Sequence, residues 1–418
     1  MKRSWLPIAT LLGLACGGGG DATLPGDGGT AGDGGGGVQP DGRPDPGPGA
    51  IGEWTDEPGA CPTGATRADI TTAAQMADAS RGDGPIADCY FVHDGTYVQS
   101  GTSPILYFTR GGSAAQPVVW VGQSRAGVQI RGRASFDAGA PFVTLSNMTL
   151  DLTGYTQSGA FNTVTVLADH VTVRRLTVTG DCATGLRGGA IEVDGGADVL
   201  IEDNLIEKFG QCQGDGHLDH GVYLGSGSDI TIRNNLVRGN SSRGIQLNTE
   251  GGAFGTLSGI LIERNRITGN GHRDYEDGIV VNGAGAGAIS NLVVRRNLIY
   301  RNYYAGIRFV GDAISGVTIE YNTFVDDGAQ TSAPGRSEVN LDDGTPAGSI
   351  TRNIFVAERT LINTCAPSLT FSDNVVDGPA TGGCVGTITA VDPAFVDAAG
   401  GDFHPTATAA SGYGAYAP

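Results

Sequence analysis

Apolar residues return along the middle of the chain in one fixed phrase: apolar, any, any, Asn, any, apolar. Seven copies occupy residues 201–206, 232–237, 262–267, 294–299, 319–324, 350–355 and 371–376. Their asparagines (Asn204, Asn235, Asn265, Asn297, Asn322, Asn353 and Asn374) are spaced 31, 30, 32, 25, 31 and 21 residues apart. A unit this short cannot bury its own apolar face, so it must stack on copies of itself. The uneven spacing predicts that each turn carries a loop of its own length, and in repeat proteins such loops sit on one face, often the binding face.

A second pattern lies one strand further on: Gly, aliphatic, any, apolar. It begins at Gly221, Gly244, Gly278 and Gly306, and Ala190 opens an earlier segment in the same phase. Strand alternation sends the apolar pairs inward and the middle residue outward. Stacked strands then predict one exposed column: Glu192, Tyr223, Gln246, Val280 and Arg308. One stretch reads as helix, residues 68–79, with Ile70, Ala73, Ala74 and Met76 as an apolar stripe. A short amphipathic helix suits the end of a solenoid, which needs a cover.

Together the two patterns resemble the right-handed parallel β-helix superfamily, which includes pectate lyases, alginate and chondroitin lyases, alginate epimerases and polygalacturonases. The resemblance spans roughly residues 85–395. It implies an all-β fold, a right-handed parallel β-helix solenoid with a short N-terminal capping helix. It also implies that each ladder asparagine sits in the tight turn after the second sheet, bonded to its equivalents in adjacent coils, and that the Gly-aliphatic strands form the first sheet beside a substrate cleft. The physics agrees, because a buried amide needs partners and an identical amide one coil away supplies them.

Composition adds boundaries. Lys2 and Arg3 precede an apolar stretch too short to span a bilayer. Residues 13–16 resemble a bacterial lipobox, in which Cys16 is lipidated; the other six cysteines then form an even set suited to an oxidising compartment. The coil period pairs Cys61 with Cys89, Cys182 with Cys212 and Cys365 with Cys384. Gly/Asp/Pro-rich sequence follows the signal and reads as a tether. The expected division is 1–16 signal, 17–58 disordered tether, 59–116 N-terminal cap and first strands, 117–395 β-helix and 396–418 C-terminal cap. An exported monomer is expected, held to the outer membrane or cell surface by its lipid or else secreted. The formal charge of −18 argues against nucleic acid as a partner. It is uneven: residues 170–310 carry a balance of only −1, so an anionic ligand remains compatible with the arginine-rich middle.

Candidate chemistry gathers in the loops that feed the first sheet. The loop at 209–220 holds Asp215, His217, Asp219 and His220 beside Tyr223; later loops add Arg243, Asp277 and Tyr303. Elimination on a uronic acid polymer needs a base for the proton beside the carboxylate, a cation for the charge that develops, and an acid for the leaving oxygen. His220 or His217 fits the base, Tyr223 the acid and Arg243 or Arg308 the cation, with Glu192, Gln246, Asp277 and Tyr303 contacting the polysaccharide. Asp215 and Asp219 offer oxygen ligands suited to calcium, and no other cofactor is indicated. Cys212, His217 and His220 also read as zinc ligands, against the disulfide that would use Cys212. A glycoside hydrolase with paired carboxylates is a second reading, and a non-catalytic carbohydrate-binding or adhesion solenoid a third.

Overall fold

The computed structural model describes residues 51–53, 56–101, 103–153, 159–160, 162–181, 186–210, 218–249, 255–273, 275–284, 287–331, 336–358, 360–379 and 386–417. Short strands wind into a parallel β-helix, each pairing in register with its equivalent one coil away. The first sheet holds Val164–Val166, parts of Leu186–Ala197 and Asp219–Ser228, Ile245–Asn248, Ile279–Asn282 and Ala305–Val310. The second includes Leu200–Glu202, Thr231–Arg233, Leu257–Glu263 and Ile289–Arg295. The third, after the asparagine corner, includes Leu205–Glu207, Leu236–Arg238, Arg266–Thr268 and Leu298–Tyr300. Inside, Ile201, Ile232, Ile262, Val294, Ile319 and Ile350 are fully buried and stack in one row. Such rows are what a unit with no core of its own needs.

The asparagines do form a continuous buried ladder. From Asn204 to Asn374, each Nδ2 donates to the next Oδ1 at 2.9–3.0 Å. Each of those oxygens also accepts the backbone N–H of the preceding ladder asparagine. The residue just before each of these asparagines (203, 234, 264, 296, 321, 352 and 373) has a φ of 51–59°. A left-handed corner is costly for non-glycine residues, and the amide ladder offsets that cost with several bonds per coil. Before Asn204 the same register position holds Met148 and Leu176, and the Leu176 N–H donates to the Asn204 Oδ1.

A second ladder runs five residues after the first. Asn240, Asn270 and Asn302 pass the same bond along at 3.0, 3.0 and 2.9 Å, and the last donates to Asp327. A carboxylate accepts only, so it closes the row. The signal was present as Asn-x-x-x-x-Asn in three successive phrases.

The helix begins later than expected, at Ala73–Ser80, while Arg67–Ile70 is a strand parallel to Cys89–Val92. Thr72 sets the boundary through a capping box with Gln75, a stop that outranks the apolar spacing of Ile70. The Cys61–Cys89 disulfide lies beside it, Cα atoms 5.8 Å apart. Cys365 is also disulfide-bonded; Cys182, Cys212 and Cys384 lie outside the described residues, as does Cys16.

Both ends of the described chain run back along the third-sheet flank. Residues 51–53 and 56–58, assigned above to the tether, dock there: the Gly52 N–H donates to Asn234, Arg266 pairs with Glu53 at 2.8 Å, and Arg175 with Glu57 at 3.3 Å. From the other end, Arg301 donates to the Ala398 carbonyl and the Ala415 N–H to the Thr323 hydroxyl. The two segments meet in one apolar cluster of Ile51, Leu298, Tyr300, Val325, Phe403 and Ala415. Burial of Ile51 alone is worth about 1.5–3 kcal/mol, which a Gly/Pro-rich composition conceals.

Replacing Asn265 with Leu leaves the Asn235 N–H without its acceptor and takes one of three acceptors from Asn235 Nδ2. The expected cost is roughly 1–3 kcal/mol, read as a lower denaturation midpoint. A variant as stable as the parent would show that the ladder contributes nothing.

Candidate functional site

Parallel register builds the groove floor. Glu192, Tyr223, Gln246, Val280 and Arg308 follow one another across the first sheet in the predicted column, and Thr165 precedes them in register. Exposure differs from the expectation, however. Glu192 and Tyr223 are half-buried, whereas Gln246, Val280 and Arg308 are buried. Among the column residues, exposure is therefore greater at Glu192 and Tyr223 than on the later coils.

Glu192 is the most perturbed group there. Burial, with Asp194 two residues on adding like charge, pushes its carboxyl up to about 7. Alternation points both carboxyls away from the core, since Ile191 and Val193 are fully buried. Asp194 is exposed and accepts from the Ser226 hydroxyl at 2.8 Å. Tyr223, directly beside Glu192 in register, accepts at its phenol oxygen from Asn248 Nδ2 at 2.8 Å. The His220 ring stacks against that of Tyr223, centroids 5.5 Å apart and nearly parallel.

His220 was expected at the surface but is only 2% exposed, and Asp219 is fully buried. Both lie at the start of a first-sheet strand. Asp215 and His217 lie outside the described residues. Among the described residues, no group of three or more His, Cys, Asp or Glu side chains is placed to hold a metal ion.

The cations divide by role. Arg243 donates through Nη1 to Gln246 Oε1 at 2.9 Å. Burial, then the like charge of Arg308, brings its guanidinium down to about 10. Arg308 is committed elsewhere: Nε donates to Asp277 Oδ2 at 2.8 Å, Nη1 to Asp342 at 3.2 Å and Nη2 to the Tyr275 carbonyl at 2.8 Å. Burial opposes its charge, but the two carboxylates outweigh that and raise its pKa. Asp277 is fully buried in this pair, which fixes a loop. Glu276, also fully buried, accepts from the backbone N–H groups of His272 and Arg273 at 2.7 and 2.9 Å. Tyr303 is half-buried, its N–H donating to the Asn270 carbonyl.

The second-sheet arginines form ion pairs between coils. Arg233 pairs with Glu202 at 2.9 Å and Arg295 with Glu263 at 2.8 Å on the preceding coil, with Arg174 3.8 Å from Glu202. Arg296 instead lies over the Tyr321 ring, 5.2 Å from its centroid, and donates to the Ala417 carbonyl.

Sequence reasoning brought Glu192, Tyr223, His220, Arg243 and Gln246 to one place. It missed Ser226 and Asn248, which orient Asp194 and Tyr223. Asn248 is two strand positions beyond Gln246 on the outward face, a signal the alternation contained, whereas Ser226 is three beyond Tyr223 and meets Asp194 through a register shift that alternation does not foresee.

Residues 122–289, 164–344 and 221–390 each match the family model for the right handed beta helix region. No curated protein matches the chain. Among solved structures, the pectate lyase Pel9A is 14% identical, with 74% of each chain covered and a TM-score of 0.44. PfbA, a surface adhesin of Streptococcus pneumoniae, is 13% identical over 69% of this chain and 78% of its own, at 0.47. The A-module of the Azotobacter vinelandii mannuronan C-5 epimerase AlgE6 is 15% identical over 75% and 93%, at 0.45.

The raised Glu192 carboxyl has a stability consequence of definite sign. A folded pKa above the unfolded one favours the protonated fold, so this contribution is complete below 4.5 and lost as pH rises through about 7. Glu192→Gln should therefore match the wild type at pH 4 and exceed it at pH 8 in denaturation midpoint. Equal midpoints at pH 8 would place Glu192 in water.

Proposed function

We propose that this chain, which belongs to the right-handed β-helix family, cuts an acidic polysaccharide by β-elimination. The observation that carries the reading is Glu192, a carboxyl poised near neutrality on the open part of the groove floor, next to a tyrosine whose oxygen is held by an amide. A base works best when its pKa lies near the operating pH. Glu192 takes the proton from the sugar carbon beside the uronate carboxylate. The electron pair left behind forms a carbon–carbon double bond, and the bond from the next carbon to the glycosidic oxygen breaks. Tyr223 protonates that oxygen, and the Asn248 amide stabilises the phenolate that results. Arg243, positioned by Gln246, takes the uronate carboxylate and the charge that builds on it. His220, buried against the Tyr223 ring, orients the acid instead of serving as the base.

Glycoside hydrolysis is the second reading, favoured by one observation. Glu192 and Asp194 share a strand face but differ in environment, one buried toward protonation and the other exposed. Such a split is how an acid and a base are told apart. The proposal also takes the chain to be exported, lipidated at Cys16 and tethered by the segment before residue 51. Ile51 docks on the third-sheet flank, away from the first-sheet column.

The two chemistries give opposite pH limbs. If Glu192 is the eliminating base, turnover should rise with pH through about 7 and the products should carry ultraviolet-absorbing unsaturated ends. If it is a hydrolytic acid, turnover should fall over the same range and only reducing ends appear. The assay is a panel of pectate, alginate, glycosaminoglycan and neutral glycans, with and without calcium. Glu192→Gln and Tyr223→Phe should each cost at least 100-fold in turnover, and Arg243→Ala should weaken binding and turnover together. Retention of a glycan with no product of either kind would favour a binding solenoid.

A further inference from the structure

We infer that Tyr275 is a stacking platform for a pyranose ring of the polysaccharide, placed along the groove away from the cleaved bond. This rests on the reading of the groove as a polysaccharide site. Among the described residues, the large apolar side chains left exposed are Ile86, Val98, Leu218, Tyr275 and Val396, and Tyr275 is the aromatic one, at 45%. Its backbone is unusual. The solenoid's left-handed residues recur at coil corners, but Tyr275, with φ +68°, lies in a loop outside those columns. A bulky side chain in that region is costly and persists only where the surroundings enforce it.

The surroundings here are specific. Arg308, anchored on Asp277 and Asp342, donates to the Tyr275 carbonyl, and its guanidinium lies 5.7 Å from the Tyr275 ring centroid. The buried Tyr304 ring supports Tyr275 from beneath at 4.9 Å. A buried ion pair and a buried aromatic thus hold the ring steady while the residue stays 45% exposed. For folding alone this wastes apolar area. For a sugar it provides a rigid flat surface against which the C–H face of a pyranose packs, at little entropic cost because the ring is already fixed.

Position sets the role. The Tyr275 loop leads into Ile279–Asn282, whose Val280 is three coils from Glu192 by register. At about 4.8 Å per coil the separation along the axis is roughly 14 Å. The ring is thus too far to touch the reacting atoms and well placed to hold a neighbouring part of the same chain.

Two variants separate this role from a structural one. Tyr275→Gly removes the ring and relieves the backbone, whereas Tyr275→Phe keeps the ring. Affinity electrophoresis through gels of polygalacturonate, alginate and hyaluronan measures the dissociation constant for whichever glycan retains the wild type. Tyr275→Gly should bind that glycan roughly three- to tenfold more weakly while melting no lower than the wild type, and Tyr275→Phe should bind within twofold. Unchanged retention of Tyr275→Gly, or a lowered melting temperature with unchanged retention, overturns the platform while leaving the groove reading intact. A wild type retained by none of the three gels defeats the groove reading and the platform with it.

Discussion

One bond type governs this molecule: a side-chain amide handed from each coil to the next. The asparagine oxygen accepts two N–H groups from the preceding coil while its nitrogen donates onward, so every ladder residue is tied along the solenoid axis. Backbone pairing alone would tolerate a slip of register, and a one-residue slip in a strand reverses every side chain. The amide cannot follow such a slip without losing its partners in the interior. It therefore pins the corner, the corner pins the flanking strands, and those fix which residue of each coil faces the groove. Glu192, Tyr223 and Gln246 stand in line because Asn204, Asn235 and Asn265 do.

This explains why the fold was legible in the sequence and the site only partly so. The Asn phrase and the Gly-aliphatic phrase are local, and repetition made them redundant. The same redundancy offered Asn240, Asn270 and Asn302, five residues after the first row, and the left-handed corner that precedes each ladder position. Burial of the groove floor depended on contacts between loops. Nothing local to Arg308 says that Asp277 and Asp342 will take its charge, 31 and 34 residues away. Likewise His220 is polar by composition yet buried, its ring stacked on that of Tyr223. Ile51 and Phe403 are isolated apolar residues in polar stretches, with no period to betray them; only the distant flank gives them a partner.

Rigidity also shapes the chemistry. A stacked amide core gives the early coils no freedom to reorganise, so reactivity must be tuned by what the floor residue is buried against. Glu192 is raised by burial and by Asp194, both fixed by the strand that carries them. A carboxyl held this way opposes stability above neutrality, the usual mark of a functional group retained against the interest of the fold. The buried pairs around Arg308 serve the opposite purpose. They use charge to order a loop, with Arg308 bonded to Asp277, Asp342 and the Tyr275 carbonyl.

The docking of both ends on the third-sheet flank completes this division of surfaces. Fully buried Leu298, Ile354 and Val375 would be an exposed apolar stripe if the segments around Ile51 and residues 395–417 were absent. Outward positions of the third sheet are mixed: Thr149, Thr177, Arg266 and Thr323 are polar, whereas Leu205, Leu236, Leu298, Ile354 and Val375 are apolar, and the terminal segments cover the last three. Covering that flank joins residues more than 240 apart in sequence, such as Ile51 with Leu298, and these non-local contacts carry a larger loop-closure cost than the register between neighbouring coils. Both described ends lie on the third-sheet flank, away from the first-sheet column.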